Sequence, residues 1–475
     1  MQSHNTGRLI MHKYNQIINA LPPEYPEFLM EKNRKAFLDS GISVVVLDDD
    51  PTGTQTISDV PVLTTWGENE IESLLRERVP LFFILTNSRS LTADKANRLA
   101  FKIGQNIKKA SETTERKTLV VSRSDSTLRG HYPTEVNALG KGLGIKDAPH
   151  ILIPAFFQGG RITVDDVHYV REGDHLVPAG ETPFAQDSSF GYSSSNLKSY
   201  VEEKTGGRVK AGDVVSISIS DIREKGPDKI AATLKNLLPK QVCIVNAAAQ
   251  SDLDVFTTGY YSALNQNIRP VLLRTAASIV PGLAGVPVKT PLEKNQFAPE
   301  GRGGMVVIGS YVPMTSRQLE YLKCNFPVTY IEIQAHKLLD ETTFKTETKR
   351  VSEIANKNLD KDRVVVIYTS RSLIKGNTSE ESLQIVNRIS SGIVETVKGV
   401  NVRPRFFIAK GGITSSDILT KSFEVKKAQV LGQIIPGVPV WKLEDCRPFP
   451  GLIYMPFPGN LGGDDAVFNA IQKFM

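Results

Sequence analysis

Cysteine is scarce in this chain. Cys243, Cys324 and Cys446 are the three among 475 residues, and they lie far apart. That spacing excludes a disulfide framework and a cysteine metal box, and it fits a reducing, cytoplasmic setting. Long apolar runs are also missing. None approaches the roughly 18 residues a membrane-spanning helix needs. Residues 1–20 scatter charges through an interrupted pattern without an apolar core, so no secretory signal is expected there. There is no internal repeat and no low-complexity tract. Blocks of like charge are absent too, so the net charge of +6 and the pI of about 8.9 are weak evidence for nucleic acid and suit small anionic substrates equally well. No P-loop pattern, G-x-x-x-x-G-K-[ST], occurs anywhere, which disfavours a P-loop kinase. What remains is an ordinary globular composition, 40% apolar and 23% charged, at a length that implies about two to four domains.

The rest of the chain is organised around residues 42–56. Ile42, Val44, Val45, Val46 and Leu47 read as a buried strand, and Asp48, Asp49 and Asp50 arrive together at its C-terminal end. In open α/β sheets that end faces the ligand crevice. Pro51 and Gly53 turn the chain, and Thr52, Thr54 and Thr56 line the turn with hydroxyls. Three adjacent acids repel, so a cation or several substrate hydroxyls would account for them. A solvated turn capping the next segment is the plainer alternative.

Further strand-like runs follow at 60–65, 81–85, 118–121 and 150–157, with helical patterns near 68–78 and 92–110 between them. Several of these runs end in polar loops, such as Thr86-Asn87-Ser88-Arg89-Ser90 and Gln158-Gly159-Gly160-Arg161. Alternation at this spacing predicts a parallel sheet with helices on both faces. Residues 162–195 break the pattern and read as a hairpin or flap. His168 and His175 lie there among acids, at a spacing that matches no familiar metal box. Strands resume at 214–219, 242–245 and 271–273. A Pro- and Gly-rich stretch, 281–304, reads as a linker. A second α/β set then runs through strands at 305–308, 328–333, 364–368, 405–409 and 429–440, with helices over 315–324, 343–357, 379–397 and 465–474. The expected fold is therefore α/β with two domains, each a largely parallel sheet flanked by helices, and an active site in the cleft between them. Its parts are an N-terminal extension (1–40), a first domain (41–280), the linker (281–304) and a second domain (305–475).

Two constellations carry chemistry. The first, residues 123–131, packs Arg123, Asp125, Ser126, Thr127 and Arg129 directly after a strand. Guanidiniums clamp carboxylates or phosphates, while acids and hydroxyls bind sugar hydroxyls. The second is a set of glycine turns after strands: Gly309-Ser310, Lys410-Gly411-Gly412-Ile413-Thr414-Ser415, and Gly459-Asn460-Leu461-Gly462-Gly463-Asp464-Asp465. Glycines let a phosphate approach the backbone closely. A different enzyme class also fits part of the chain. Asp48-x-Asp50-x-Thr52 matches the nucleophile motif of haloacid-dehalogenase-like phosphatases, with Asp48 as nucleophile and Asp50 as acid. The acidic partner motif at Asp464-Asp465 would then lie some 400 residues away, across the linker, and the glycine turns would have no task.

Taken together, the acidic strand end before Thr52-Gly53, the Asp125-Ser126-Thr127-Leu128-Arg129-Gly130 segment, the Lys410-Gly411-Gly412-Ile413-Thr414 turn and the Gly459-Asn460-Leu461-Gly462-Gly463-Asp464 loop resemble the four-carbon acid sugar kinase family over about residues 42–475. The resemblance implies an N-terminal acid-sugar-binding domain and a C-terminal ATP-binding domain. It also implies transfer of the γ-phosphate of ATP to the terminal hydroxyl of a threonate, erythronate or oxo-tetronate. The chain departs from better-known members in its three-acid start, in Pro51 where an aromatic precedes Thr-Gly, and in His131-Tyr132-Pro133.

Carried onto matching positions, Asp48, Asp49, Arg123, Asp125, Ser126 and Arg129 fall in the sugar site, with Thr52, Gly53 and Arg89 beside them. Gly309, Ser310, Lys410, Gly411, Gly412, Thr414, Ser415, Gly459, Asn460, Gly462 and Gly463 fall on ATP. Asp464 is the first choice of catalytic base and Asp125 the second, while Lys410 stabilises the γ-phosphate. Mg²⁺ would bridge the phosphates, with Asp464 and Asp465 as its protein ligands. The expected partners are a sugar acid and ATP or ADP, without nucleic acid or membrane, and a homodimer is allowed.

Overall fold

The apolar run at the centre of the sequence pattern is a strand, β1 (Ser43–Asp48), buried along its whole length. Val44, Val45 and Val46 have no exposed surface, as expected of a parallel strand covered on both faces. Six further strands lie with it in one sheet: β2 (Leu81–Leu85), β3 (Thr118–Arg123), β4 (His150–Ile153), β5 (Val215–Ile217), β6 (Val242–Val245) and β7 (Leu272–Thr275). Their order is β5-β6-β4-β7-β3-β1-β2, and every pairing is parallel. The C-terminal ends of all seven therefore face one way. That is the physical basis for a cluster of loop side chains there. Helices such as Ala93–Thr114 and Thr134–Gly142 supply the connections.

The computed structural model describes residues 12–287, 289–296, 299–371, 374 and 378–475. The chain divides into two compact units. Met1–Asp49 and Trp66–Val288 form the first, and Asp50–Thr65 with Lys289–Met475 form the second. The second unit holds β8 (Gly304–Ile308), β9 (Thr329–Ile333), β10 (Val364–Thr369), β11 (Phe407–Lys410), β12 (Lys427–Ile435), β13 (Val438–Leu443) and β14 (Leu452–Phe457). Strands β14, β11, β8, β10 and β9 pair in parallel. The remaining pairs, β14 to β13, β13 to β12 and β12 to the short strand Val60–Leu63, are antiparallel. Both units are α/β, as the strand–helix alternation predicts. Among the described residues no helix is long and apolar enough to cross a membrane.

Several boundaries move. The run at 429–440 is two strands, because Pro436-Gly437 reverses the chain and Gly437 takes a left-handed φ of 84°. Strand β14 escapes the apolar-run criterion because Pro456 lies within it and Pro450 and Pro458 flank it. The expected linker at 281–304 begins too early. Ile279–Ala284 is a fully buried helix of the first unit, and residues 288, 297 and 298 of that stretch lie outside the described ones. The N-terminal extension contributes a strand, His12–Lys13, that pairs with His175–Pro178. The flap at 162–195 is a real sheet, in which Arg161–Val164, Val167–Glu172 and His175–Pro178 pair antiparallel.

The largest difference concerns residues 50–65, expected in the first domain. They belong to the second unit. Val60–Leu63 pairs with β12, and the indole N–H of fully buried Trp441 donates to Thr54 Oγ1 at 2.8 Å. Replacing Thr54 with Val keeps the volume and removes the acceptor, which leaves a buried donor unpaired. We expect Thr54→Val to cost about 1–3 kcal/mol, read as a lower urea midpoint with an unchanged m-value. An unchanged midpoint would show that this bond does not anchor the segment.

Candidate functional site

Parallel pairing puts Asp48, the last residue of β1, opposite Arg123, the last residue of β3. Arg123 Nη1 donates to Asp48 Oδ1 at 3.0 Å and lies 3.8 Å from Asp49 Oδ1. Arg89, just beyond β2, places Nε 3.3 Å from Asp49 Oδ1 and Nη1 3.5 Å from Asp125 Oδ1. Asp125 also accepts from Arg129 Nε at 2.8 Å and from the Thr127 hydroxyl. Arg129 reaches Asp187 at 3.6 Å and lies over the Phe184 ring, which Arg161 also faces. Four guanidiniums and four carboxylates are thus gathered at these loops.

Behind this layer stands one that the sequence reading missed. Arg274, on β7, donates to Ser122 Oγ, Ser124 Oγ and Glu135 Oε2 at 2.9, 2.6 and 3.0 Å. Ser124 Oγ in turn donates to Asp49 Oδ2. Gly130 has a φ of 119°, and a Cβ there would sit 2.8 Å from both Arg274 Nη2 and Ser124 Oγ, so the turn needs glycine. The available signal was a lone arginine inside the apolar run Val271-Leu272-Leu273-Arg274. A charge in such a place persists only when paired.

Buried polar atoms in native structures nearly always have hydrogen-bond partners. Among the described residues Asp49 Oδ1, Arg123 Nε, Arg161 Nε, Ser88 Oγ and Thr275 Oγ1 have none, and all belong to strand ends or the loops beside them. A small hydroxylated anion fits such a set. Burial pushes the Asp49 carboxyl above its ordinary value, although Arg89 and Arg123 pull the other way. Burial acts on Asp125 too, but there Arg129 and Arg89, with hydrogen bonds from Arg129 and Thr127, hold the carboxyl far below the carboxylate range. Ser126 is held through its backbone: buried His168 contacts its carbonyl through Nε2 at 2.7 Å and Thr163 Oγ1 through Nδ1 at 2.9 Å. His168 is thus a positioning residue of the segment, and no group of three or more metal-ligating side chains occurs among the described residues.

In the second unit, three glycine turns come together at the ends of β8, β11 and β14. A Cβ on Gly309 would lie 2.3 Å from Thr414 Oγ1, and one on Gly412 would lie 2.8 Å from Asp50 Oδ2. Side chains hold the turn carbonyls. Lys410 Nζ donates to Pro458 O and Gly459 O at 2.8 and 3.3 Å, and Thr315 Oγ1 donates to Gly459 O at 3.0 Å. Gln318 Nε2 donates to Leu461 O and Gly463 O, and Arg371 Nη1 to Ser310 O. Ser415 Oγ donates to Gly411 O, inside the turn. Beside these turns lies a cavity of about 250 Å³, walled by Ile385, Ile389 and Ile393 and floored by Gly309, Gly411 and Thr414. An apolar slot opening onto glycine turns fits a nucleotide base followed by its phosphates.

Some expected residues fall elsewhere. Thr52 and Gly53, assigned to the sugar side, belong to the second unit. There Asp50 closes their turn, with Thr52 N and Oγ1 donating to Asp50 Oδ1 at 2.8 and 2.6 Å. Lys410 is fully buried, and burial lowers its pKa to about 7. Its ammonium points at two carbonyls, so it shapes the turn. Asp464 is half exposed and paired with Arg317 at 2.9 Å. Asp465 accepts from Asn469 at 2.9 Å, and the terminal helix, Ala466–Gln472, starts after it. The phosphatase alternative requires Asp48 and Asp50 to act as one pair. Asp48 is buried against Arg123, and Asp50 belongs to the other unit.

Comparison with known proteins gives a two-part division too, with residues 50–65 counted in the first part. A family model described as a sugar-binding N-terminal domain matches residues 44–283, and one described as a nucleotide-binding C-terminal domain matches residues 305–467. A D-erythronate kinase of Heliobacterium modesticaldum is 25% identical over 339 residues, covering 69% of this chain and 71% of the relative. A D-threonate kinase of Salmonella typhimurium is 25% identical over 335 residues, covering 70% and 72%. Two solved structures share the fold. A Salmonella typhimurium protein described as a tRNA synthase has a TM-score of 0.66 at 16% identity, and a Haemophilus influenzae protein has 0.59 at 18%. Each covers 91% of this chain and 100% of its own.

Burial lowers the pKa of His168 to about 4. The native state therefore keeps this imidazole neutral. Its contribution is complete above about pH 6.5 and is lost as pH falls from there towards 4. His150 acts in the same direction, whereas Asp254, raised by burial to about 6, acts in the opposite one. A difference measurement isolates His168. The stability gap between wild type and His168→Gln should shrink by about 1 kcal/mol per pH unit below 6.5 in urea titrations. A gap that stays constant would mean that His168 is not held neutral.

Proposed function

The chain belongs to the four-carbon acid sugar kinase family, and on that premise we propose that it phosphorylates the terminal hydroxyl of a four-carbon sugar acid at the expense of ATP. The substrate is of erythronate, threonate or oxo-tetronate type. The observation that carries this reading is the buried arginine–aspartate set with its unpartnered polar atoms. An arginine-rich pocket favours a carboxylate, and the acids and hydroxyls beside it suit the substrate's hydroxyls.

Arg129 and Arg161 hold the substrate carboxylate, with Arg89 and Arg123 bracing the acids that grip its hydroxyls. Ser126 contributes from the segment that His168 fixes. In the second unit the apolar slot takes the base of ATP, and the turns at 309–310, 411–415 and 459–463 take its phosphates. Phosphoryl transfer is mostly positioning and charge stabilisation. The hydroxyl oxygen bonds to the γ-phosphorus, the bond to the β-phosphate oxygen breaks, and the hydroxyl proton passes to a carboxylate. Asp49 suits that last task better than Asp125 or Asp464. Arg89 and Arg123 lie 3.3 and 3.8 Å from its Oδ1, but among the described residues that oxygen accepts no hydrogen bond, and burial raises the carboxyl's affinity for protons; Asp125 is saturated with donors, and Asp464 accepts from Arg317 at 2.9 Å. Lys410 positions the 458–459 turn. Mg²⁺ would be held by Asp464 and Asp465 together with the phosphates, since it is commonly bound by one or two carboxylates beside phosphate oxygens, and it would neutralise charge there.

The assay is ADP release from ATP with a panel of four- and five-carbon sugar acids. Turnover that depends on a four-carbon acid is expected. Absence of turnover with every acid, or phosphate release from a phosphorylated sugar without nucleotide, would overturn the assignment. Asp49→Asn should lower kcat by roughly 10²-fold or more with little change in the KM for ATP, because it removes the proton acceptor. Lys410→Met should raise the KM for ATP about tenfold and leave that for the acid unchanged. Equal effects on both substrates would show a general loss of structure.

A further inference from the structure

The first unit has a second cavity at the opposite end of its sheet. The residues assigned above to the sugar acid follow the C-terminal ends of β1 and β3. The other cavity, of about 870 Å³, instead lies against His150 and Val242, the first residues of β4 and β6. Its inner wall includes His150 and Tyr132, 8% and 6% exposed. Among the described residues neither His150 Nδ1 nor Tyr132 Oη has a hydrogen-bond partner, and the two rings meet edge to face with centroids 6.1 Å apart. Two nine-tenths-buried polar groups left open beside one cavity are an uncommon expense in a folded chain, and a ligand explains them.

The remaining lining sets the ligand class. Ala148, Val209, Val214 and Val242 make the wall apolar, and Leu238 at the edge is 62% exposed. Four cations and two acids also line the cavity. Lys240 pairs with Asp147 at 3.3 Å, and Asp213 is the second acid. Among the described residues, Lys141, Lys146 and Arg208 have no ion-pair partner. Three uncommitted, exposed cations in the lining suit a doubly charged phosphoryl group, the apolar wall suits an organic body, and the neutral donor–acceptor groups of the inner wall suit its hydroxyl or ring nitrogen. The volume is that of a metabolite site.

We propose that this cavity is a second ligand site, for a small organic phosphate, separate from the site that handles the sugar acid. The phosphoryl group lies among Lys141, Lys146 and Arg208, and the uncharged polar end meets His150 and Tyr132. This assignment does not depend on the kinase reading.

The test is calorimetric titration of the full chain with inorganic phosphate, ribose 5-phosphate and AMP, with the nucleotide slot first saturated by a non-hydrolysable ATP analogue. At least one organic phosphate should bind ten or more times more tightly than inorganic phosphate. The surface double variant Lys141→Glu/Arg208→Glu should weaken that binding at least tenfold. Tyr132→Phe, which keeps the ring, should weaken it about threefold, and Arg129→Ala should leave it unchanged. Absence of saturable binding by all three probes overturns the proposal. So does organic binding no tighter than that of inorganic phosphate, and so does binding lost in Arg129→Ala but kept in the double variant. Preference for ribose 5-phosphate or for AMP identifies the body as a sugar or a nucleoside.

Discussion

A charge taken out of water must find a counter-charge, and the first unit is built around meeting that condition several times within a few ångströms. Asp48, Asp49 and Arg123 are almost wholly buried. Each ion costs several kcal/mol to desolvate, and only close pairing recovers it. Pairing in turn demands register. Asp48 meets Arg123 because β1 and β3 are parallel neighbours whose last residues face each other. A shift of one residue in either strand would turn these side chains to opposite faces. Arg274 and Glu135 extend the arrangement one layer deeper, so the acid at position 49 is braced from behind through Ser124. The affinity proposed above for a hydroxylated anion would therefore follow from how the protein tolerates its own charges.

This constraint also explains what could be read from the sequence. Strand β1, the acids at its end and the Arg123–Arg129 segment were legible, because apolar runs and turn residues are local signals. The division into two α/β units was legible for the same reason. The membership of residues 50–65 was not. Thr52 and Gly53 follow the acids directly in sequence, yet strand pairing at Val60–Leu63 and the Trp441–Thr54 bond bind them to the later unit. Both partners lie more than 300 residues away, where no local pattern can reach them. Arg274 was hidden in a similar way, since its partners at 122, 124 and 135 become neighbours only through the sheet.

Position in sequence also misled about role. Lys410 next to two glycines looks like a phosphate-binding lysine. Its side chain instead runs inward, over the Phe457 ring at 4.3 Å, to two backbone carbonyls. His168 stands among acids, where residue type alone suggests a metal ligand although the spacing fits no metal box, and it is a buried post under Ser126. Asp125 looks like a base, and it is saturated with donors. In each case residue type suggested a reactive group, and burial with hydrogen bonding redirected it to a structural one.

The glycine turns show why such redirection serves binding. A turn that presents its amide N–H groups to an anion must keep its carbonyl oxygens, which would repel that anion, pointed elsewhere. Here the carbonyls of Ser310, Pro458, Gly459, Leu461 and Gly463 are each held by a side chain, from Arg371, Lys410, Thr315 or Gln318. Side chains that never touch a phosphate thus fix the sign of the field that a phosphate would meet. Glycine alone gives a turn room for a ligand. The captured carbonyls give it polarity, and that is why a pair of glycines in a sequence is weak evidence of a phosphate site until the donors that hold their neighbours are found.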